Sequence, residues 1–252
     1  MIVNLLIFII GSIVGSFLNV CIHRLPKKES VVTPRSHCPH CKKNIAWYDN
    51  IPLLSYALLR GKCRFCKGKI SFRYFLVELI TAALFLALFL SFGFSIKFFA
   101  YSMLAAGLII ATFVDFEIQE IPDEVTLWGI VLGLIISFVF LRWRGLVDSG
   151  LGVLIGGVGI YLMGFLGELV FKKEAMGGGD VKLLAMIGAF LGWKLALFTF
   201  FAAPLFGAIV GVILKIKDGR ETIPYGPYLS LAAVVAMFFG DKILGFLAHG
   251  IF

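Results

Sequence analysis

Two groups of residues in this chain have types and spacings that can do chemistry. The first is four of the five cysteines, arranged as Cys38-Pro-His-Cys41 and Cys63-Arg-Phe-Cys66 with 21 residues between the pairs. Each CxxC forms a tight knuckle that aims two thiolates at one centre, and two knuckles complete a tetrahedral four-cysteine shell that suits zinc. Four thiolates leave no open coordination position, so such a metal is structural. An iron–sulfur cluster or a redox dithiol is the competing reading of the same spacing. His37 and His40 flank the first pair but are not needed to fill the shell. Cys21, in an apolar run, reads as a small core residue. The second group is Asp115, which ends the apolar run Leu104–Val114, and Asp180, which ends Met176-Gly-Gly-Gly-Asp before another apolar run. Two carboxylates brought together in low-dielectric surroundings share a proton: one activates a water while the other polarises a carbonyl. Taken singly, each aspartate also reads as a helix cap or boundary charge, and a proton-coupled transporter uses the same pair in another way.

The elements that must position these residues are membrane helices. Apolar residues make up 60% of the chain and charged ones 15%, against about 45–50% and 25% for soluble domains. No charged residue occurs from Met1 to Ile22 or from Leu79 to Ile96, and runs of that length read as spans. The first run lacks a preceding basic segment and a small-residue cleavage site, so it is expected to stay as an anchor. The fold class is therefore an all-α integral membrane protein of about eight transmembrane helices with a small zinc-stapled cytosolic insert. Spans are expected near 2–22, 74–93, 95–114, 124–141, 147–170, 181–193, 195–214 and 226–247. The stretch 181–214 is long for one span and short for two, which leaves seven as the alternative. Three domains follow: a first helix at 1–22, a cytosolic insert at 23–73 and a polytopic membrane domain at 74–252.

Charge orients these elements. The net charge is +8, and residues 24–73 hold 12 of the 23 Lys/Arg with only Glu29 and Asp49 as acids. Positive-inside topology places that insert in the cytosol and the N-terminus outside. Acidic lipid headgroups attract such a loop, and the flanking spans make nucleic acid the weaker reading of its charge. The connections 115–123, 172–180 and 215–225 then face the cytosol, which puts Asp115 and Asp180 on one side. A reducing compartment also disfavours disulfides between the four cysteines.

The order of short motifs resembles a known family. Gly15-Ser-Phe-Leu-Asn19, His23-Arg-Leu-Pro26, the two CxxC pairs, Asn50-Ile-Pro-Leu-Leu-Ser-Tyr56, Arg60-Gly-Lys-Cys63 and Ile70-Ser-Phe-Arg-Tyr74 resemble the amino-terminal signature of type IV prepilin peptidases. Asp115 and Gly177-Gly-Gly-Asp180 resemble the catalytic pair of that family, the latter being the GxGD motif of intramembrane aspartyl proteases. The resemblance runs from about Gly11 to Tyr228. It implies a bacterial inner-membrane enzyme that cleaves the leader of prepilins or pseudopilins on the cytosolic side. It also implies N-methylation of the new terminus with S-adenosylmethionine, to which the insert, with Gly61 beside Cys63, contributes. Asp123 is given a supporting role. Candidates to hold the methyl donor are Asn19, His23, Arg24 and Glu78. The alternatives left open are a peptidase with a purely structural zinc domain and a zinc-ribbon transporter with a paired-aspartate proton path. Oligomeric state is not legible.

Residues 115–124 carry Asp115, Glu117, Glu120, Asp123 and Glu124 and no basic residue. A basic substrate leader is expected to be drawn to this segment, with a solvated helix–helix turn as the alternative.

Overall fold

The structure is a computed structural model that describes residues 1–162, 164, 177–218 and 224–249, with only the backbone described for 210–218 and 247–249. Among the described residues there is no strand, only two isolated bridges inside the insert. All eight stretches expected to span are helical over nearly all their described residues. Among the described residues, five helices are long and apolar enough to cross a membrane: Ile2–Lys27, Phe72–Phe92, Ile96–Ile118, Asp123–Leu162 and Gly226–Phe246. The chain forms two compact units, Met1–Phe98 and Phe99–Phe252.

In the first unit, α1 (Ile2–Arg24) packs on α3 (Phe72–Phe92). The stripe Ile7, Gly11, Gly15, Leu18 and Ile22 is buried, while Leu5, Leu6, Ile9, Ile10, Ile13 and Phe17 are exposed and apolar, as a lipid-facing surface requires. Glycines let the backbones close: a Cβ on Gly11 would lie 2.8 Å from Ala82 Cα, and one on Gly15 would lie 2.7 Å from Glu78 Cα. This small-xxx-small contact supplies the dispersion that holds helices together where lipid removes the hydrophobic drive.

Between them lies the insert, with 3₁₀ turns at Leu25–Lys27 and Trp47–Asn50 and a short helix α2 (Leu54–Leu58). From residue 28 to 71 the buried residues are Cys38, Ser55, Gly61 and Cys63, with no buried aliphatic or aromatic side chain. A segment of that kind has no hydrophobic core of its own and needs a staple. One non-metal tie is the Arg64–Asp49 pair, with Arg64 Nε and Nη2 donating to the carboxylate at 2.7 and 2.6 Å. The guanidinium holds the Asp49 carboxyl below the usual carboxylate range.

The second unit holds α4 (Ile96–Ile118) apart from its first turn, α5 (Asp123–Val153), α6 (Gly178–Leu191), α7 (Trp193–Asp218) and α8 (Gly226–His249). Helix α5 reverses on itself. Ser137 and Ser149 would stand about 18 Å apart on a straight helix, yet their hydroxyls are 2.6 Å apart. The reversal is at Arg142, with φ 59° and ψ −149°, and it splits the 40-residue stretch Asp123–Leu162 into two arms, as the expected spans 124–141 and 147–170 require. Residues 163 and 165–170 of the latter lie outside the described residues.

Both arms clasp α6. Cβ atoms on Gly129 and Gly133 would run into Met186 and Ala189, and on Gly152 and Gly156 into Gly188 and Leu184. The order of these contacts makes one arm parallel and the other antiparallel to α6. Helix α6 has 14 residues, about 21 Å, and Leu183 to Ala189 are all buried. Enclosed by protein, it need not match the bilayer. It is separated from α7 by Gly192 alone, with φ +79°, so 181–214 is two helices.

The same backbone shape recurs at three helix boundaries. Gly93 (φ 58°, ψ −159°) ends α3 and Gly192 (φ 79°, ψ 170°) ends α6, whereas Arg142 adopts it with a side chain. That region of φ/ψ is nearly glycine-only, and a side chain there costs on the order of 1–3 kcal/mol. Arg142→Gly is therefore expected to raise the thermal midpoint in detergent, by about 1 kcal/mol of stability. A lower midpoint would mean that the Arg142 side chain contributes more than the strain costs.

Candidate active site

Asp115 lies in the last turn of α4 and is 5% exposed. Its Oδ2 accepts a hydrogen bond of 2.9 Å from the backbone N–H of Gly226, the first residue of α8. Asp180 lies in the first turn of α6 and folds back to accept from the N–H of Gly177, the N-cap. The two aspartates are thus held alike. Each carboxylate takes one backbone N–H from a glycine at a helix N-terminus, where the helix dipole favours negative charge. At Gly226 proximity favours glycine, since a Cβ there would sit 2.8 Å from Asp115 Oδ2; at Gly177 the approach is tight but less so, at 3.3 Å from Asp180 Oδ2.

The two carboxylates are brought together, close enough that the charge of Asp115 acts on Asp180. Ile121, 8% exposed, fixes the arrangement from the α4–α5 connection. It is the nearest neighbour to a Cβ built on Gly179, at 3.2 Å, and its Cδ1 comes within 3.2 Å of one built on Gly226. One apolar side chain therefore registers the starts of α6 and α8 against the end of α4. Tyr225, half-buried just before α8, adds a phenol to this cluster; burial and the Asp180 carboxylate push it up to about 12, so it stays a neutral donor.

Asp123 does not join the pair. Its carboxylate accepts from Lys182 Nζ at 2.6 and 2.8 Å, tying the start of α5 to α6 just past its first turn. Gly226, Tyr225 and Lys182 were not singled out by sequence reasoning. The only signal for the first two is the turn-forming Pro224-Tyr-Gly-Pro227 ahead of the last apolar run.

The four cysteines of the insert converge as their spacing requires. Their sulfurs all lie within 4.8 Å of one another, with Cys38–Cys66 at 3.8 Å and Cys41–Cys63 at 4.0 Å. A tetrahedron of Zn–S bonds of about 2.3 Å has sulfurs about 3.8 Å apart, so the donor set and its spacing fit that ion. The knuckles are copies 25 residues apart. Cys38 N–H donates to Lys43 O and Lys42 N–H to Cys38 O; Cys63 N–H donates to Gly68 O and Lys67 N–H to Cys63 O. Lys42 and Lys67 both take positive φ, at 58° and 59°. Four close cysteines are placed to hold a metal ion.

The remaining candidates divide. Asn19, 2% exposed, donates through Nδ2 to Tyr74 O at 3.0 Å and so bridges α1 to α3. Glu78 accepts from Leu53 N–H at 2.7 Å and from Ser16; Leu53 has φ 62°, so the carboxylate steadies a strained turn. His23 lies 3.1 Å from Lys27 Nζ. Arg24, 7% exposed, donates to Ser30 O at 2.8 Å and Pro34 O at 2.7 Å. A Cβ on Gly61, which has φ +65°, would run into the Tyr56 ring.

Comparison with known proteins agrees with this geometry. Residues 9–92 match the bacterial peptidase A24 N-terminal domain and residues 102–212 match the type IV leader peptidase family. A prepilin leader peptidase/N-methyltransferase of Pseudomonas aeruginosa is 38% identical over 93% of this chain and 90% of its own length. The protein of that name from Pseudomonas putida is 35% identical over the same shares. One from Myxococcus xanthus is 40% identical over 85% of this chain, which spans 64% of that relative. No solved structure matches. With relatives above 30% identity along nearly their whole length, and both halves of the chain matched, the chain belongs to the type IV leader peptidase family.

Proposed function

We propose that this chain cleaves the leader of prepilins or pseudopilins and N-methylates the trimmed product, with Asp115 and Asp180 as the peptidase pair. The observation that carries the reading is the matched seating of the two carboxylates on glycine N–H groups at two helix starts. Each keeps one oxygen clear of that hydrogen bond, and the pair holds one proton. The ionised member takes a proton from water as the oxygen attacks the scissile carbonyl; the protonated member donates to the carbonyl oxygen. Collapse breaks the C–N bond, and the proton taken from water passes to the leaving amine. Tyr225, kept neutral, is available to hydrogen-bond substrate beside Asp180.

The metal is zinc, held by Cys38, Cys41, Cys63 and Cys66, and its role is to fold an insert that has no apolar core. S-adenosylmethionine is the methyl donor. The protein resides in the bacterial inner membrane with its N-terminus outside and both sites facing the cytosol, in keeping with the basic insert. The test is a prepilin incubated with purified enzyme, with and without S-adenosylmethionine, and read by mass spectrometry. Trimming in both samples and one added methyl in the first are expected. Trimming without methylation would leave a peptidase with a structural zinc domain, and neither product would return the chain to transport.

The acidic segment offers a substrate-docking surface. Glu117 and Glu120 lie exposed just beyond Asp115. Glu117→Lys with Glu120→Lys is expected to raise KM for a leader bearing basic residues several-fold while kcat changes little. An unchanged KM would remove these residues from substrate binding.

A further inference from the structure

The first unit holds a groove of about 420 Å³ between the end of α1 and the chain that leads into and out of the first cysteine knuckle. Its lining is cationic. Arg24 and Arg35 both contribute to it, no lining residue is an acid, and neither arginine is in an ion pair among the described residues. Of the two acids in residues 24–73, Asp49 is held by Arg64, and Glu29 is exposed and does not line the groove. Arg24 is 7% exposed and spends two of its five N–H donors on the carbonyls of Ser30 and Pro34, at 2.8 and 2.7 Å. Those bonds fix the guanidinium and leave its other donors uncommitted. An immobilised guanidinium beside a second one suits a phosphate, which takes paired hydrogen bonds from each.

Two other lining residues have the opposite character. Val32 and Trp47 are apolar, and each is 81% exposed. Such side chains beside a cationic pocket fit the bilayer boundary, where an indole sits at the level of the headgroups. The place in the fold agrees. Arg24 is the last residue of α1, within the membrane-length stretch Ile2–Lys27, and Val20 lines the groove one turn earlier. The groove therefore lies at the level where acyl chains give way to headgroups. Charge is matched as well. Residues 24–73 hold 12 of the 23 Lys/Arg and two acids, so this end of the span attracts an anionic surface.

We propose that this groove binds the phosphate of an anionic phospholipid, held by Arg24 and Arg35, with Val32 and Trp47 against the start of the acyl chains. The lining selects the class of lipid: it has no acid to receive the ammonium group of a zwitterionic headgroup. The bound lipid seats the insert on the bilayer surface. Between residues 28 and 71 no aliphatic or aromatic side chain is buried, and lipid gives the exposed ones a cover that the insert itself does not supply. The site depends on α1 as a span and on the folded first knuckle, and on neither enzymatic step.

The test uses the full-length protein with Trp47 as its only tryptophan, through Trp128→Phe, Trp143→Phe and Trp193→Phe. It is placed in vesicles of phosphatidylcholine, with or without phosphatidylglycerol, whose acyl chains carry bromine. Trp47 emission is expected to fall at least about twofold further when phosphatidylglycerol is present, while aqueous iodide leaves it unchanged. Arg35→Ala is expected to remove that difference, and an equal zinc content shows that its insert is folded. Equal quenching with and without phosphatidylglycerol, or full quenching retained in zinc-loaded Arg35→Ala, would overturn the site. So would emission that iodide quenches and brominated chains do not. Glycerol 3-phosphate added in detergent separates the two sources of phosphate. No change in Trp47 emission is expected, and a change that Arg35→Ala abolishes would make the ligand a soluble phosphate rather than a lipid.

Discussion

Asp115→Asn and Asp180→Asn are each expected to slow leader cleavage by at least about a thousandfold, with the double variant no slower than the worse single one. The amide fills the same volume, and its oxygen still accepts the glycine N–H, from Gly226 in one case and Gly177 in the other. The helix starts therefore keep their seats, and the loss falls on chemistry. What disappears is the shared proton: an amide neither takes a proton from water nor gives one to the carbonyl. Groups that act as one unit are lost as one unit, which is why the two effects do not add. Additive losses would mean that the aspartates serve separate steps. Initial rates on a prepilin substrate, with circular dichroism to verify helix content, decide between them.

Removing the metal is expected to abolish methyl transfer while cleavage stays within about threefold of the parent, because the cysteines and the aspartates belong to separate compact units and independent sites perturb one another little. Chelation and Cys41→Ser are the two routes. Between residues 28 and 71 nothing aliphatic or aromatic is buried, so the four sulfurs stand where a core would. Structural zinc supplies about 10–16 kcal/mol toward folding in small domains of this kind. The Asp49–Arg64 pair is a solvent-screened contact of the kind that contributes little, and it does not replace the metal. The aspartate pair lies in the other compact unit. Metal content by atomic absorption, beside the two product assays, reads the outcome. Cleavage lost together with methylation would mean that the insert supports the peptidase too.

The parts of this molecule legible in the sequence are those whose chemistry is local. Two CxxC pairs announce a metal centre because the spacing alone builds the knuckles. Asp115 and Asp180 are conspicuous because charge at the edge of an apolar run is costly. The helices follow from the apolar runs, including the two arms of α5, which the arginines at 142 and 144 separate. What escaped depends on backbone partners that no side-chain pattern reports. Gly226 holds Asp115 from 111 residues away, and its glycine looks like any other turn residue. Asn19 and Glu78 drew attention as polar residues in apolar helices, but their partners are the carbonyl of Tyr74 and the N–H of Leu53. Only the folded chain separates such a brace from a ligand contact.

The most direct measurement of the central claim is a mass-spectrometric time course of one prepilin with the parent enzyme, Asp115→Asn and Asp180→Asn, each purified in detergent and supplied with S-adenosylmethionine. Trimmed, singly methylated product is expected from the parent and intact precursor from both variants, with metal content equal in all three. Trimmed product from either variant at a rate near that of the parent would contradict it, and the peptidase site would have to be sought elsewhere in the chain.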